Sequence, residues 1–165
     1  MKLGSTVTEI ARFTISPSAA ELVDLRHQVR GDAVVRRLSP AAKDDLILLL
    51  SELATNAIEA ARPGSPVTVE VSWQPASVTV AVENFGTPFR LPARPRLPDS
   101  TDMRGRGLAI AAALSTAIHA EHHDGRTRVM ATRELGRTST PNDPSTPHDP
   151  FTDPPPCHTA ARSSP

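Results

Sequence analysis

Glu52 and Asn56 stand four residues apart in "ELATNAIEA" (52–60). On a helix that spacing puts a carboxylate and an amide one turn apart on one face. A carboxylate can take a proton or orient a hydroxyl. An amide oxygen suits a hard cation such as Mg2+, which commonly draws one or two oxygens from protein and the rest from water and phosphate. The pattern also fits a plain amphipathic helix. Leu46, Leu49, Leu50, Leu53, Ala57 and Ala60 form an apolar stripe, and Asp45 and Glu59 prolong the polar face. The pair needs a phosphate site nearby to mean more.

"RGRGLAIAAALS" (104–115) offers one. Gly105 and Gly107 flank Arg106 where an irregular segment runs into a helix. Glycine lets backbone approach a ligand closely, and a helix N-terminus presents unpaired N–H groups to an anion. A glycine-rich helix start without a ligand has the same appearance. Further on, "DGRTRVMA" places Thr127 two residues after Gly125, at the start of a strand. Its hydroxyl suits a base edge, although threonine is also simply a good strand former.

These residues must be held by regular elements, and the periodicities supply them. "ARFTIS" (11–16) reads as a strand. A helix follows in "SPSAAELVDLRHQVRGDAVVRRLS", with Ser16 or Ser18 as N-cap. The next helix, "SPAAKDDLILLLSELATNAIEAA", has Ser39 as N-cap, Pro40 at its first position and a stop before "RPGSP". "PVTVEVSW" and "SVTVAVEN" alternate across a short "QPA" turn, a hairpin signature. A third helix in "GRGLAIAAALSTA" leads to "IHAEHH", a "DG" turn and "TRVMATREL", a second hairpin. Short hairpin turns make a mostly antiparallel sheet, and helices must cover one face of it. The expected fold class is therefore α/β (α+β), a two-layer sandwich.

Composition sets the outer limits. With 165 residues, the chain has room for one ordinary domain. Lys+Arg and Asp+Glu balance at 18 each, which argues against direct nucleic-acid binding through phosphate contacts. Neither "LILLL" (46–50) nor "GLAIAAALSTAI" (107–118) reaches the length of a membrane helix. "MKLGSTVTEI" lacks the apolar core of a signal peptide. With the lone Cys157 ruling out a disulfide framework, the expected compartment is cytoplasmic. Residues 1–8 are read as a flexible N-terminus and 9–135 as the domain. Residues 136–165, with eight prolines and Phe151 as the one large apolar side chain, are read as a disordered tail. The stretch 85–104, with prolines at 88, 92, 95 and 98, is too long for a plain connection and is expected to be a lid.

Taken in order, these motifs resemble the GHKL (Bergerat-fold) ATPase superfamily. Within it the chain is most similar to the small anti-sigma-factor serine/threonine kinase-like ATP-binding proteins of actinobacterial type. The helical E-x-x-x-N box is matched by Glu52 and Asn56. The G-R-G-L phosphate box is matched by Gly105, Arg106, Gly107 and Leu108, and the closing Gly-x-Thr by Gly125 and Thr127. The resemblance implies that Glu52 is the catalytic residue and that Asn56 binds Mg2+. It implies an ATP site completed by Asn84, Gly86, Gly105, Arg106, Gly107, Leu108 and Thr127. It also implies a sigma factor and an anti-anti-sigma (STAS-type) protein as partners, and it leaves a homodimer open.

One motif departs from the family pattern. "VENFGTPF" carries Asn84 where the family has an Asp that accepts from the adenine amino group. Gly86 is kept, and Pro88 replaces a second glycine. Exchanging a charged acceptor for a neutral one costs on the order of 1 kcal/mol, or about five- to tenfold in affinity. Two functions therefore compete: a serine/threonine kinase that also sequesters a sigma factor, and a module of the same fold that works by partner capture with weak nucleotide binding. A histidine kinase is disfavoured, because Gln28 follows His27 where that motif has an acid. His119, Glu121 and His123 alternate with His122, so three face one side of a strand and one the other; a solvent-facing polar patch is the simpler reading than a metal site. Cys157, His148 and His158 lie in the Pro-rich tail, where one Cys and two His make a metal site the disfavoured alternative against the ligand spacings of zinc sites.

Overall fold

The computed structural model describes residues 8–86 and 106–135. Pro88, Gly105, the expected lid beyond Gly86 and the Pro-rich tail lie outside them.

Five strands and three helices follow in the order β1 (Glu9–Ile15), α1 (Ala19–Val35), α2 (Pro40–Ala60), β2 (Val67–Trp73), β3 (Ser77–Phe85), α3 (Arg106–Leu114), β4 (Ala117–His123) and β5 (Arg126–Glu134). The sheet order is β1-β2-β3-β5-β4, with every neighbouring pair antiparallel. The α+β two-layer sandwich is as expected.

Local chemistry sets the helix ends. The Ser18 side chain accepts from the Glu21 N–H and starts α1, so of the two serines considered it is the cap. Past the end of α1, Arg37 takes a left-handed φ of 57°, and Leu38 N–H reaches back to Ala33 O at 3.1 Å. This closes the helix as a Schellman turn with arginine in the usual glycine place. Ser39 caps α2, with Pro40 following it. The third helix is shorter than its pattern suggests. It ends at Leu114 because Thr116 turns to the sheet, bonding Thr132 O through both its N–H (2.7 Å) and its hydroxyl (3.0 Å).

Alternation fixes which face of the sheet is covered. Val67, Val69, Val71 and Trp73 of β2, with Val78, Val80 and Val82 of β3, all point inward and are buried. They meet Leu46, Leu49, Leu50 and Leu53 of α2 and Leu25 and Val29 of α1 in one core. The opposite face carries a cross-strand charge ladder. Glu70 on β2 accepts from Arg12 (2.8 Å) and Arg128 (3.3 Å), and Glu83 on β3 pairs with Arg126 at 2.8 Å. The hydrogen bond from Arg12 holds the Glu70 carboxyl below its ordinary value of 4.5; burial opposes this and the charge of Arg128 reinforces it.

Candidate functional site

The C-terminal half of α2 brings Glu52 and Asn56 under the first turn of α3. Neither is simply solvated. Both are half-buried, and the Asn56 amide nitrogen is fully buried with no hydrogen-bond partner among the described residues. The polar face of α2 is thus split by its neighbours. Asp45, two turns earlier, is bonded by Arg133 of β5, whereas Glu59 is exposed. Only the Glu52–Asn56 stretch is left facing α3.

Gly107 is what lets α3 come so near. A Cβ there would overlap the Glu52 carboxylate oxygen, and it would lie 3.3 Å from Asn56 Nδ2 and 3.5 Å from the Glu52 carboxyl carbon. The glycine box and the E-x-x-x-N box are therefore one constellation, joined across two helices, with Gly107 lying 51 residues after Asn56 in the chain. Leu108 points the other way and is buried in the core, which anchors the turn. Arg106 opens the helix.

The far ends of β3 and β5 supply a second polar group. Asn84 and Thr127 face each other in register and are the buried polar residues of the described core. Asn84 Nδ2, like Asn56 Nδ2, has no partner among the described residues. The Thr127 hydroxyl lies 3.0 Å from His122 Nδ1. Gly86 closes this end against α2. It bridges to Ala61, its N–H donates to Gly125 O (3.2 Å), and Arg62 N–H donates to Phe85 O (2.7 Å). Gly125 follows Asp124 in the β4–β5 turn, both with positive φ, the signature of a tight Asp-Gly hairpin.

Of the residues singled out in the sequence, Glu52, Asn56 and Gly107 come into direct juxtaposition. Asn84, Gly86 and Thr127 form a second group next to the end of the same helix. Gly105 lies outside the described residues. His122, read from the sequence only as part of a polar patch, is the residue whose pairing with Thr127 was not expected. Its inward phase on β4, opposite to His119, Glu121 and His123, was the signal, and the register Glu121↔Arg128 and His122↔Thr127 bears that alternation out. No cluster of metal-binding side chains occurs among the described residues.

A family profile described as the histidine kinase-like ATPase domain matches residues 15–133. The chain belongs to that family. The GHKL resemblance therefore holds at the level of the domain, and the boxes just described fall within the matched span. Among solved structures the ATPase domain is similar to the RsbU and RsbW domains of Rv1364c from Mycobacterium tuberculosis. The TM-score is 0.59 at 19% identity, over 77% of this chain and 32% of that one. The chain thus spans about a third of the length of that protein, and the likeness is one of fold. No curated protein matches the chain significantly. Among the described residues, no helix of the ATPase domain is long and apolar enough to cross a membrane.

Proposed function

We propose that the protein is an ATP-dependent serine/threonine kinase that acts as an anti-sigma factor and phosphorylates an anti-anti-sigma partner of STAS type. What carries the reading is the close approach of α3 at Gly107 to Glu52 and Asn56, so close that a Cβ there would overlap the carboxylate, which brings the glycine box next to a carboxylate and an amide. The residues present fit Mg-ATP. Two buried amide nitrogens lack partners among the described residues, and the missing Cβ at Gly107 lets the first turn of α3 come close to Glu52 and Asn56. Mg-ATP would supply the transferable phosphoryl group and neutralise its charge.

The chain's own part is positioning, which is most of what phosphoryl transfer asks of a protein. Asn56 would offer its amide oxygen to Mg2+, and Glu52 would orient the acceptor hydroxyl and take its proton. Arg106, Gly107 and Leu108, at the start of α3, together with Gly105 of the same sequence motif, would hold the phosphates with backbone N–H groups. Asn84, Gly86 and Thr127 would receive the base. Calorimetric titration of Mg-ATP, with Asn56→Ala as control, tests the site. Binding in the micromolar to submillimolar range, on the order of 5–8 kcal/mol, is expected and should be lost in the control. Glu52→Ala should keep ATP binding and lose transfer to the partner's serine.

A second reading is favoured by one observation. Asn84 sets a neutral amide in the base region where the family carries an acid, which supports partner capture with nucleotide weak or structural. Absence of detectable ATP binding up to millimolar concentration, with undiminished affinity for a sigma factor, would decide for capture.

A further inference from the structure

Every other inward position along β2 and β3 carries Val or Trp, so Asn84 is a break in an otherwise apolar row. It is 3% exposed, and its partner across the ladder, Thr127, is 1% exposed. A buried amide N–H without an acceptor is costly, and such a group calls for an acceptor from a ligand. Nδ2 lies at the Gly86 end of the strand, 3.0 Å from where a Gly86 Cβ would be. Thr127 and its neighbour His122 add a hydroxyl and an imidazole. None of Asn84, Thr127 and His122 is a carboxylate, and both Asn84 and Thr127 can donate as well as accept.

We infer that this edge reads a purine without discriminating a 6-amino from a 6-oxo group, so that the site takes a 6-oxopurine nucleoside triphosphate about as well as ATP. The inference rests on the nucleotide site proposed above and names its substrate class. A carboxylate at position 84 can only accept, so it would set two acceptors face to face against a 6-oxo group. The Asn84 amide has no such conflict. Its unpartnered Nδ2 donates to a carbonyl oxygen, and a half-turn of the side chain offers Oδ1 to an amino group instead. Sites that leave a buried polar group unpaired reject the wrong analogue by factors of about 10⁴. A site able to pair with both should hold the ratio within about tenfold.

The test is calorimetric titration of the full chain with Mg-ATP, with the Mg complex of inosine triphosphate, which carries the 6-oxo group, and with Mg-CTP. The expected result is dissociation constants for ATP and inosine triphosphate within about tenfold of each other, with CTP weaker by more than about tenfold. Asn84→Asp should move the ratio toward ATP by at least about tenfold. A wild-type preference for ATP beyond about a hundredfold would overturn the inference and leave the nucleotide site standing. CTP binding as tightly as the purines would also overturn it, since the base would then go unread. Failure of all three nucleotides to bind would remove both this inference and the kinase function beneath it. The wild-type ratio decides alone if Asn84→Asp does not fold.

Discussion

Replacing Gly86 with Ala should be among the most damaging single-methyl changes in this domain. The new Cβ would overlap the Ala60 carbonyl oxygen and sit 2.8 Å from its carbon and 3.0 Å from Asn84 Nδ2. Carbon–carbon contacts settle near 3.5–4.0 Å, so the end of β3 and the end of α2 must part by roughly 1 Å. The main obstacle is backbone, and no rotamer change relieves it. The separation would strain the Ala61–Gly86 bridge and two hydrogen bonds, Arg62 N–H to Phe85 O and Gly86 N–H to Gly125 O. Losing those bonds costs about 0.5–1.5 kcal/mol each, and over-packing adds about 1–3 kcal/mol. The sum is about 2–6 kcal/mol, which for a domain of this size lowers Tm by on the order of 10 °C.

Thermal unfolding followed by circular dichroism, with a urea midpoint at constant m, would measure this loss. Gly31→Ala is the matched control. Gly31 lies inside α1 with nothing within 4 Å of its would-be Cβ, so the exchange should stabilise by about 0.5–1 kcal/mol through helix propensity alone. A Gly86→Ala protein melting within about 2 °C of the wild type would refute the close approach of α2 and β3 described here.

Three further outcomes follow from the same geometry. Gly107→Ala should change stability by less than about 1 kcal/mol, since helix propensity favours it and the atom it meets is the end of a flexible glutamate. Phosphoryl transfer should nevertheless fall at least about tenfold as Glu52 is displaced; unfolding and transfer assays run side by side would check this. Asn84→Leu should leave the ligand-free protein as stable as the wild type or more so by about 1 kcal/mol, because it removes a buried donor without a partner, and titration should show nucleotide affinity lost. The Glu70 carboxyl titrates below its ordinary value of 4.5 in the folded protein. Its contribution to stability is therefore complete above that value and drains away as pH falls through the lower folded value. Glu70→Gln should flatten the acid limb of a stability–pH curve, and an unchanged slope would refute the role given to Arg12 and Arg128.

What could be seen in the sequence was set by periodicity and by short-range chemistry. The two hairpins showed themselves through strict alternation and the Asp-Gly turn, and α2 through its Ser39–Pro40 start. The strand order was less visible. That β5 lies between β3 and β4 depends on pairing across more than 40 residues, which no local pattern encodes. Helix α1 ended on a left-handed Arg37 where a glycine would have given a clear signal. In the site, spacing put Glu52 and Asn56 on one face but could not tell a solvated face from a covered one. The covering depends on α3 docking over α2, and α3 arrives from a distant part of the chain. Gly86 was read for its place in a motif, whereas its structural reason is the carbonyl of Ala60, a contact that exists only once α2 and β3 meet.

The placement of unsatisfied polar atoms links the fold to the proposed function. Four buried side-chain nitrogens lack partners among the described residues: those of Asn56, Trp73, Asn84 and Arg133. One belongs to a group satisfied elsewhere: Arg133 still donates through Nη1 to Leu114 O (2.7 Å) and through Nη2 to Asp45. The Trp73 ring packs under the Arg36 guanidinium at 4.6 Å, without an acceptor for its N–H among the described residues. The orphaned amide nitrogens of Asn56 and Asn84 have no partner there either, and unlike the Trp73 indole they stand beside the two glycine close approaches. At about 1–3 kcal/mol each, they represent a large share of the 5–15 kcal/mol that holds a domain together. A core selected for stability alone would carry leucine at such positions. The two amides instead lie beside the last turns of one helix, where Gly107 and Gly86 keep backbone and side chains close. A ligand that satisfies them at a hundred times its dissociation constant returns about 2.7 kcal/mol. That return is comparable to the cost of leaving the pair unmet, so the proposed nucleotide would complete the fold as well as occupy the site.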